Sequence, residues 1–328
     1  MRGPEAPPPG PRAPPPPFVD PDDDEALAEE AEELDPELDA EVASEKPARW
    51  DDLAVRFGVA GVLAAIGIFA MALGGWWFRV TLAAICGVMI WELVRMLAAS
   101  PRIHPMHRPP RRRAPKPPAD ASALVLGGLT AAALIIGFAI PTGYALPLVF
   151  APGLVALSIL PQHRGVFAPF SVLILMAGWG LGELRTEFGF SWMLWLATVV
   201  IVTDVFGYFA GRAFGGPRFW PRMSPKKTWS GTIAGWVAAA VVGLGWALWA
   251  DVGFQLVAIS IALSMASQMG DISESAVKRK MGVKDSSSLL PGHGGLFDRF
   301  DGMLGAAILL LLFEAVVDFP PLPVPPAL

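Results

Sequence analysis

Between Ser275 and Asp301 the chain reads S-A-V-K-R-K-M-G-V-K-D-S-S-S-L-L-P-G-H-G-G-L-F-D-R-F-D. Five cations (Lys278, Arg279, Lys280, Lys284 and Arg299) stand beside three carboxylates (Asp285, Asp298 and Asp301) around a P-G-H-G-G turn. Cationic side chains hold phosphate oxygens, and carboxylates hold divalent cations that bridge phosphates. Glycines let a backbone approach such a ligand closely. His293, between glycines and beside two acids, reads as a site residue rather than a core histidine. Asp298 and Asp301 are three apart and share a face on any helix that starts there.

A second group runs from Asp204 to Gly231. Asp204 lies inside an apolar run, about two turns before its end. An acid at that depth faces a cavity or a partner. Tyr208 follows four residues on, on the same face. Gly207, Gly211 and Gly215 repeat at four-residue spacing, which reads first as close helix packing. Ser224, Pro225, Lys226, Lys227 and Thr228 then precede the next apolar run. Two lysines flanked by hydroxyls at a helix start suit a polyphosphate, although they also suit simple anchoring at a membrane face. Asp271 closes another apolar run. If its helix continues, Asp271, Glu274 or Ser275, and Lys278 stack on one face, and Asp271 reads as a metal ligand.

The elements that must carry these groups are membrane helices. Of 328 residues, 53% are hydrophobic and 17% charged, where a soluble domain carries about a quarter charged. Nine apolar runs have roughly the length of a bilayer-crossing helix: about 54–74, 77–98, 121–140, 143–160, 165–184, 190–211, 230–250, 253–270 and 302–318. The expected fold is all-α, a polytopic bundle of about nine transmembrane helices. Residues 1–50 carry a net charge of -11 and the rest +6, which together give -5. Nine prolines in residues 1–18, then an acidic stretch, predict a disordered tail over 1–50 ahead of a membrane domain over 51–328. No signal peptide is visible, and the lone Cys86 excludes an intrachain disulfide. With the N-terminus cytoplasmic, 17 basic loop residues face the cytoplasm and two, Arg79 and Arg185, face outward. The Pro101–Pro118 loop, rich in arginine and proline, reads as a topology determinant at anionic headgroups.

The stretch from Ser275 to Asp301 resembles the signature of the phosphatidate cytidylyltransferase (CDP-diacylglycerol synthase) family. Ser275, Lys278, Arg279, Lys284, Asp285, His293, Gly294, Gly295, Asp298, Arg299 and Asp301 meet its eleven fixed positions over 27 residues. Asp204, Tyr208, Gly211 and Arg212, then Ser224-Pro225-Lys226-Lys227-Thr228, resemble the upstream block. One departure is Ser230, where the family usually has Glu. The resemblance covers about residues 50–318. It implies transfer of a cytidylyl group from CTP to phosphatidate, with Mg²⁺ as cofactor, at the cytoplasmic face of a bacterial inner membrane. Asp271, Lys278, Arg279, Lys284, His293 and Arg299 become the candidate catalytic residues, with His293 positioning rather than acting as a base. Ser224, Lys226, Lys227, Thr228 and Ser275 become phosphate-binding residues, and Asp204, Asp271, Asp298 and Asp301 metal ligands. Implied partners are CTP, phosphatidate and membrane lipid; no nucleic acid is implied, and a homodimer is compatible. Two other readings stay open on the residues alone. One is a CTP-dependent lipid kinase acting on a lipid alcohol. The other is a transporter of anionic solutes, which would want charges spread along several spans. The chain has neither a Walker loop nor the D-G-x-x-A-R motif of the CDP-alcohol phosphotransferases.

Overall fold

Long apolar runs fold as helices in hydrocarbon, because only a helix or closed barrel satisfies every backbone N–H and C=O there. A computed structural model describes residues 50–99, 119–160, 163–221, 223–290, 294–314 and 319–320. The acidic tail, the Pro101–Pro118 loop and His293 lie outside these residues. The chain divides into two units after Leu53, and the second, Ala54–Leu328, contains the site.

The described residues form nine helices: α1 (Trp50–Leu73), α2 (Gly75–Ala99), α3 (Ala119–Gly137), α4 (Thr142–Ile159), α5 (Arg164–Glu187), α6 (Gly189–Phe214), α7 (Trp229–Ala250), α8 (Gln255–Lys280) and α9 (Phe297–Glu314). Each matches one of the nine apolar runs. Seven, α2 to α8, are long and apolar enough to cross a membrane. In α1 the apolar helix described is the shorter Gly58–Leu73, and α9 opens on a charged turn. The architecture is thus a polytopic helical bundle. Its outer surface carries Phe69, Trp77, Leu124, Val241 and Trp249, all exposed, as expected of side chains that face lipid.

The sequence reading missed a small hairpin. β1 (Arg218–Trp220) pairs antiparallel with β2 (Ser224–Thr228), Arg218 opposite Thr228 and Trp220 opposite Ser224. Phe219 packs edge-on against Trp229 at 4.7 Å. The hairpin therefore folds back on the start of α7 and brings the two lysines of β2 with it.

Two close helix crossings position the acids. Between α6 and α7 a Cβ at Gly231 would clash with the Gly207 carbonyl oxygen, and Gly211 packs on the same spot. The Gly207–Gly211 repeat is thus a packing seam, as its spacing predicts. Gly215 plays a different part: it ends α6 with φ 59°. Between α8 and α9, a Cβ at Gly270 would meet the Asp301 carbonyl oxygen, and one at Gly305 the Ala266 carbonyl oxygen. Small residues let helices associate where apolar burial gives no drive between them. Buried hydrogen bonds add to this. Thr203 Oγ1 bonds Ser264 Oγ at 2.8 Å, and Trp195 Nε1 donates to Ser260 Oγ at 3.1 Å, joining α6 to α8. Gln268 accepts from Trp236 Nε1 at 3.0 Å and donates to the Thr232 carbonyl at 3.2 Å, joining α8 to α7.

Candidate active site at the ends of α2, α6, α8 and α9

The α8 helix runs ten residues past its apolar run, to Lys280. Asp271, Ser275 and Lys278 accordingly share one stripe. Lys278 Nζ contacts Glu274 at 2.5 Å and Asp298 Oδ1 at 2.9 Å. Asp298 also accepts from the Ser286 N–H at 3.0 Å and the Gly295 N–H at 2.7 Å. One carboxylate thereby ties the end of α8 to both ends of the following loop. Burial works to raise the Asp298 carboxyl. Hydrogen bonding from Gly295 N–H and from the Glu274–Lys278 pair outweighs it and holds the group below the ordinary carboxylate range.

The other anchor is Glu92 of α2, which is fully buried. Its carboxylate accepts from Ser287 Oγ at 2.6 Å, Ser286 Oγ at 3.4 Å, Leu296 N–H at 2.9 Å and Phe297 N–H at 2.7 Å. The last two are orphan donors at the start of α9. Glu92 thus caps that helix from another helix, and its charge opposes the helix dipole favourably. This is why α9 begins at Phe297 and not where its apolar run begins. Gly295 sits against the pair: a Cβ there would overlap Ser286 Oγ and lie 2.5 Å from Glu92 Oε1.

Beside this clamp lies the acidic cluster. Lys227, delivered by β2, pairs with Asp271 Oδ2 at 2.5 Å, and Ser275 Oγ donates to Asp271 Oδ1 at 3.3 Å. Asp301, in the charged first turn of α9, accepts from the Gly302 N–H at 2.7 Å. Burial, and then the negative charges of Asp271 and Asp204, push the Asp301 carboxyl up. Asp204 in turn feels the charges of Lys227, Asp271 and Arg299. Acids from α6, α8 and α9 therefore occupy one neighbourhood, and a cation there would offset their mutual repulsion.

Among the described residues no three His, Cys, Asp or Glu side chains already converge as a metal cage. The donor set still fits Mg²⁺. That ion commonly takes one or two carboxylates and completes its shell with water and substrate phosphate, and every donor here is a hard oxygen.

The structure places the remaining candidates as follows. Ser224 is half-buried and Lys226 exposed on β2. Thr228 caps α7 by accepting the Gly231 N–H at 3.3 Å. Ser230, the departure from the family pattern, donates to the Gly215 carbonyl at 2.5 Å and bonds Thr228 Oγ1 at 3.0 Å. It ties the end of α6 to the start of α7. Tyr208 is exposed and accepts from Arg212 at 3.1 Å. Lys284 and Arg299 are exposed, Lys284 in the α8–α9 loop and Arg299 on the first turn of α9. Arg279 departs from Lys278: with Lys280 it lines a separate cleft. Glu92 was missed, although the sequence held a signal for it. It is an acid inside an apolar run, the same feature that singled out Asp204 and Asp271.

The chain matches the cytidylyltransferase family model over residues 54–317. It is 47% identical over 161 residues to the phosphatidate cytidylyltransferase of Brucella suis, covering 48% of this chain and 57% of that protein. It is 36% identical over 166 residues to that of Staphylococcus saprophyticus, covering 48% and 64%. With that of Staphylococcus epidermidis it shares 33% identity over 205 residues, covering 57% of this chain and 78% of the relative. Against the Brucella protein the chain spans little more than half of the relative's length. The family model spans the whole bundle and both residue clusters, so the chain belongs to the cytidylyltransferase family.

Proposed function

We propose that this protein transfers the cytidylyl group of CTP to phosphatidate, giving CDP-diacylglycerol and pyrophosphate. The observation that carries the reading is the Lys227–Asp271 pair beside Asp204 and Asp301, at one end of the bundle and next to the Asp298 loop clamp. A phosphate oxygen of the lipid attacks the α-phosphorus of CTP. A new P–O bond forms, the bond from the α-phosphorus to the bridging oxygen breaks, and pyrophosphate leaves with that electron pair. The attacking oxygen is already anionic, so no general base is needed. Positioning and charge neutralisation carry the catalysis.

Asp204, Asp271 and Asp301 would hold Mg²⁺, which when bound neutralises phosphate charge and stabilises the leaving oxygen. Lys227 pairs with Asp271 and offers a charge to a phosphate that enters between them. Lys284, Arg299, Lys226 and Ser224 line the approach as further phosphate contacts, with Ser275 orienting Asp271. Asp298 and Lys278 hold the loop that carries Lys284. His293, in that loop, positions phosphate. The named relatives act on phosphatidate by name, which supports the lipid substrate. In purified protein, pyrophosphate release should require CTP, phosphatidate and Mg²⁺ together. Equal release with ATP, GTP and UTP would remove CTP from the reading.

The site faces the cytoplasm in this reading, on the strength of the basic-residue asymmetry. Leu289 is an exposed reporter in the α8–α9 loop. Ser287 is unsuited, because its hydroxyl is committed to Glu92. The lone Cys86 is buried and gives no background. Leu289→Cys should react with a membrane-impermeant thiol reagent only in inside-out vesicles, and CTP with Mg²⁺ should slow the reaction. Labelling in right-side-out vesicles would overturn the orientation.

A further inference from the structure

The stripe of α8 opposite Asp271 carries Ser273, Ala276 and Lys280, at steps of three and four. It faces an open cleft of about 610 Å³, lined on the other side by Gly165, Val166, Pro169 and Phe170 of α5 and bordered by Met223 of the hairpin turn. Val277 and Phe170 give it an apolar floor, with Phe170 edge-on to Phe297 at 6.0 Å. Arg279 and Lys280 stand at its rim, and among the described residues neither pairs with a carboxylate. The chemistry proposed for Asp271 and Lys227 lies on the other face of α8 and uses none of this surface.

The position of the cleft decides what fits it. α5 begins at Arg164 and α8 ends at Lys280, so the cleft sits where two spans leave the hydrocarbon, at headgroup depth. A cavity of this size is in the ordinary range of ligand sites. An apolar floor under two cations at that depth matches the phosphate and upper acyl chain of an anionic lipid. A soluble nucleotide would leave the apolar floor unused. We infer that the cleft between α5 and α8 is an accessory site for a non-reacting anionic phospholipid, whose phosphodiester lies on Arg279 and Lys280 and whose upper chain lies along Val166, Pro169 and Phe170.

The test uses the full-length protein in nanodiscs doped with phosphatidylglycerol or phosphatidylcholine, each bearing a diazirine near the top of one acyl chain. After irradiation the cross-linked peptides are mapped. Phosphatidylglycerol should label Gly165–Phe170 and Ser273–Lys280 at least roughly fivefold more than phosphatidylcholine, from the attraction of the basic residues for anionic lipid. Lys280→Glu should reduce this to the phosphatidylcholine level. A Cβ at Gly165 meets nothing within 4 Å, so Gly165→Trp fills the cleft without backbone strain. It should abolish labelling by both lipids while leaving pyrophosphate release intact. Equal labelling by the two lipids, or labelling unchanged in both variants, overturns the proposal. Displacement of phosphatidylglycerol by CTP also overturns it, because the cations would then serve the nucleotide.

Discussion

Glu92→Ala is expected to abolish measurable turnover and to lower the unfolding temperature of the purified protein. Four donors converge on this one buried carboxylate: two loop hydroxyls and the two backbone N–H groups that open α9. Each buried donor left without an acceptor costs on the order of 1–3 kcal/mol. Water entering the space left by the side chain offsets part of that, so a loss of about 3 kcal/mol is expected. The functional effect should exceed the stability effect. The clamp fixes both Asp298 and the start of α9, and Asp301 is one turn further along that helix. A misplacement of about 1 Å costs on the order of a hundredfold in rate. Glu92→Gln keeps one acceptor but sets an NH₂ group against N–H donors, so it should resemble Ala. Glu92→Asp keeps the charge on a shorter stem and should recover part of both properties. Glu92 is a positioning residue, and its loss should lower kcat more than it raises KM for CTP. Wild-type kcat in folded Glu92→Ala protein would contradict this role.

Asp271→Asn should lower turnover by more than about a thousandfold, the scale of losing a group that holds charge at the reacting phosphate. The fold should survive. The amide keeps one acceptor oxygen for Ser275 or Lys227, and the packing that sets α8 in place comes from Gly270 against α9 and Gln268 against α7. A second substitution separates the proposed metal role from the ion-pair role. Lys227→Met removes the same pair but leaves the carboxylate, so it should cost less and should raise the Mg²⁺ concentration needed for half-maximal rate only slightly. Near-normal turnover of Asp271→Asn with Mg²⁺ would remove Asp271 from the site.

Much of this arrangement was legible in the sequence, because a membrane protein writes its constraints plainly. Hydrocarbon forbids irregular backbone, so each apolar run became a helix. It also forbids idle acids, so Asp204 and Asp271 stood out. The Ser275–Lys278 register followed from helix periodicity alone. What stayed hidden depends on distance in space. Nothing near Glu92 in sequence names its partners some 200 residues away, and only the fold brings Ser286 and Leu296 to it. The hairpin was hidden because its strands are short and Pro225 interrupts the second, and it is the hairpin that carries Lys227 to Asp271. The run Lys278-Arg279-Lys280 looked like one cluster. Successive helical residues do not face the same way, so Lys278 joins the carboxylates while Arg279 and Lys280 turn to the cleft with α5.

The central claim is cytidylyl transfer rather than transfer of the terminal phosphate. It is tested most directly by giving purified protein phosphatidate, Mg²⁺ and CTP labelled at either the α- or the γ-phosphorus. The α-label should appear in the lipid fraction and the γ-label in pyrophosphate, in equal amounts. A γ-label found in the lipid, with CDP released, would mean a CTP-dependent lipid kinase and would contradict the account.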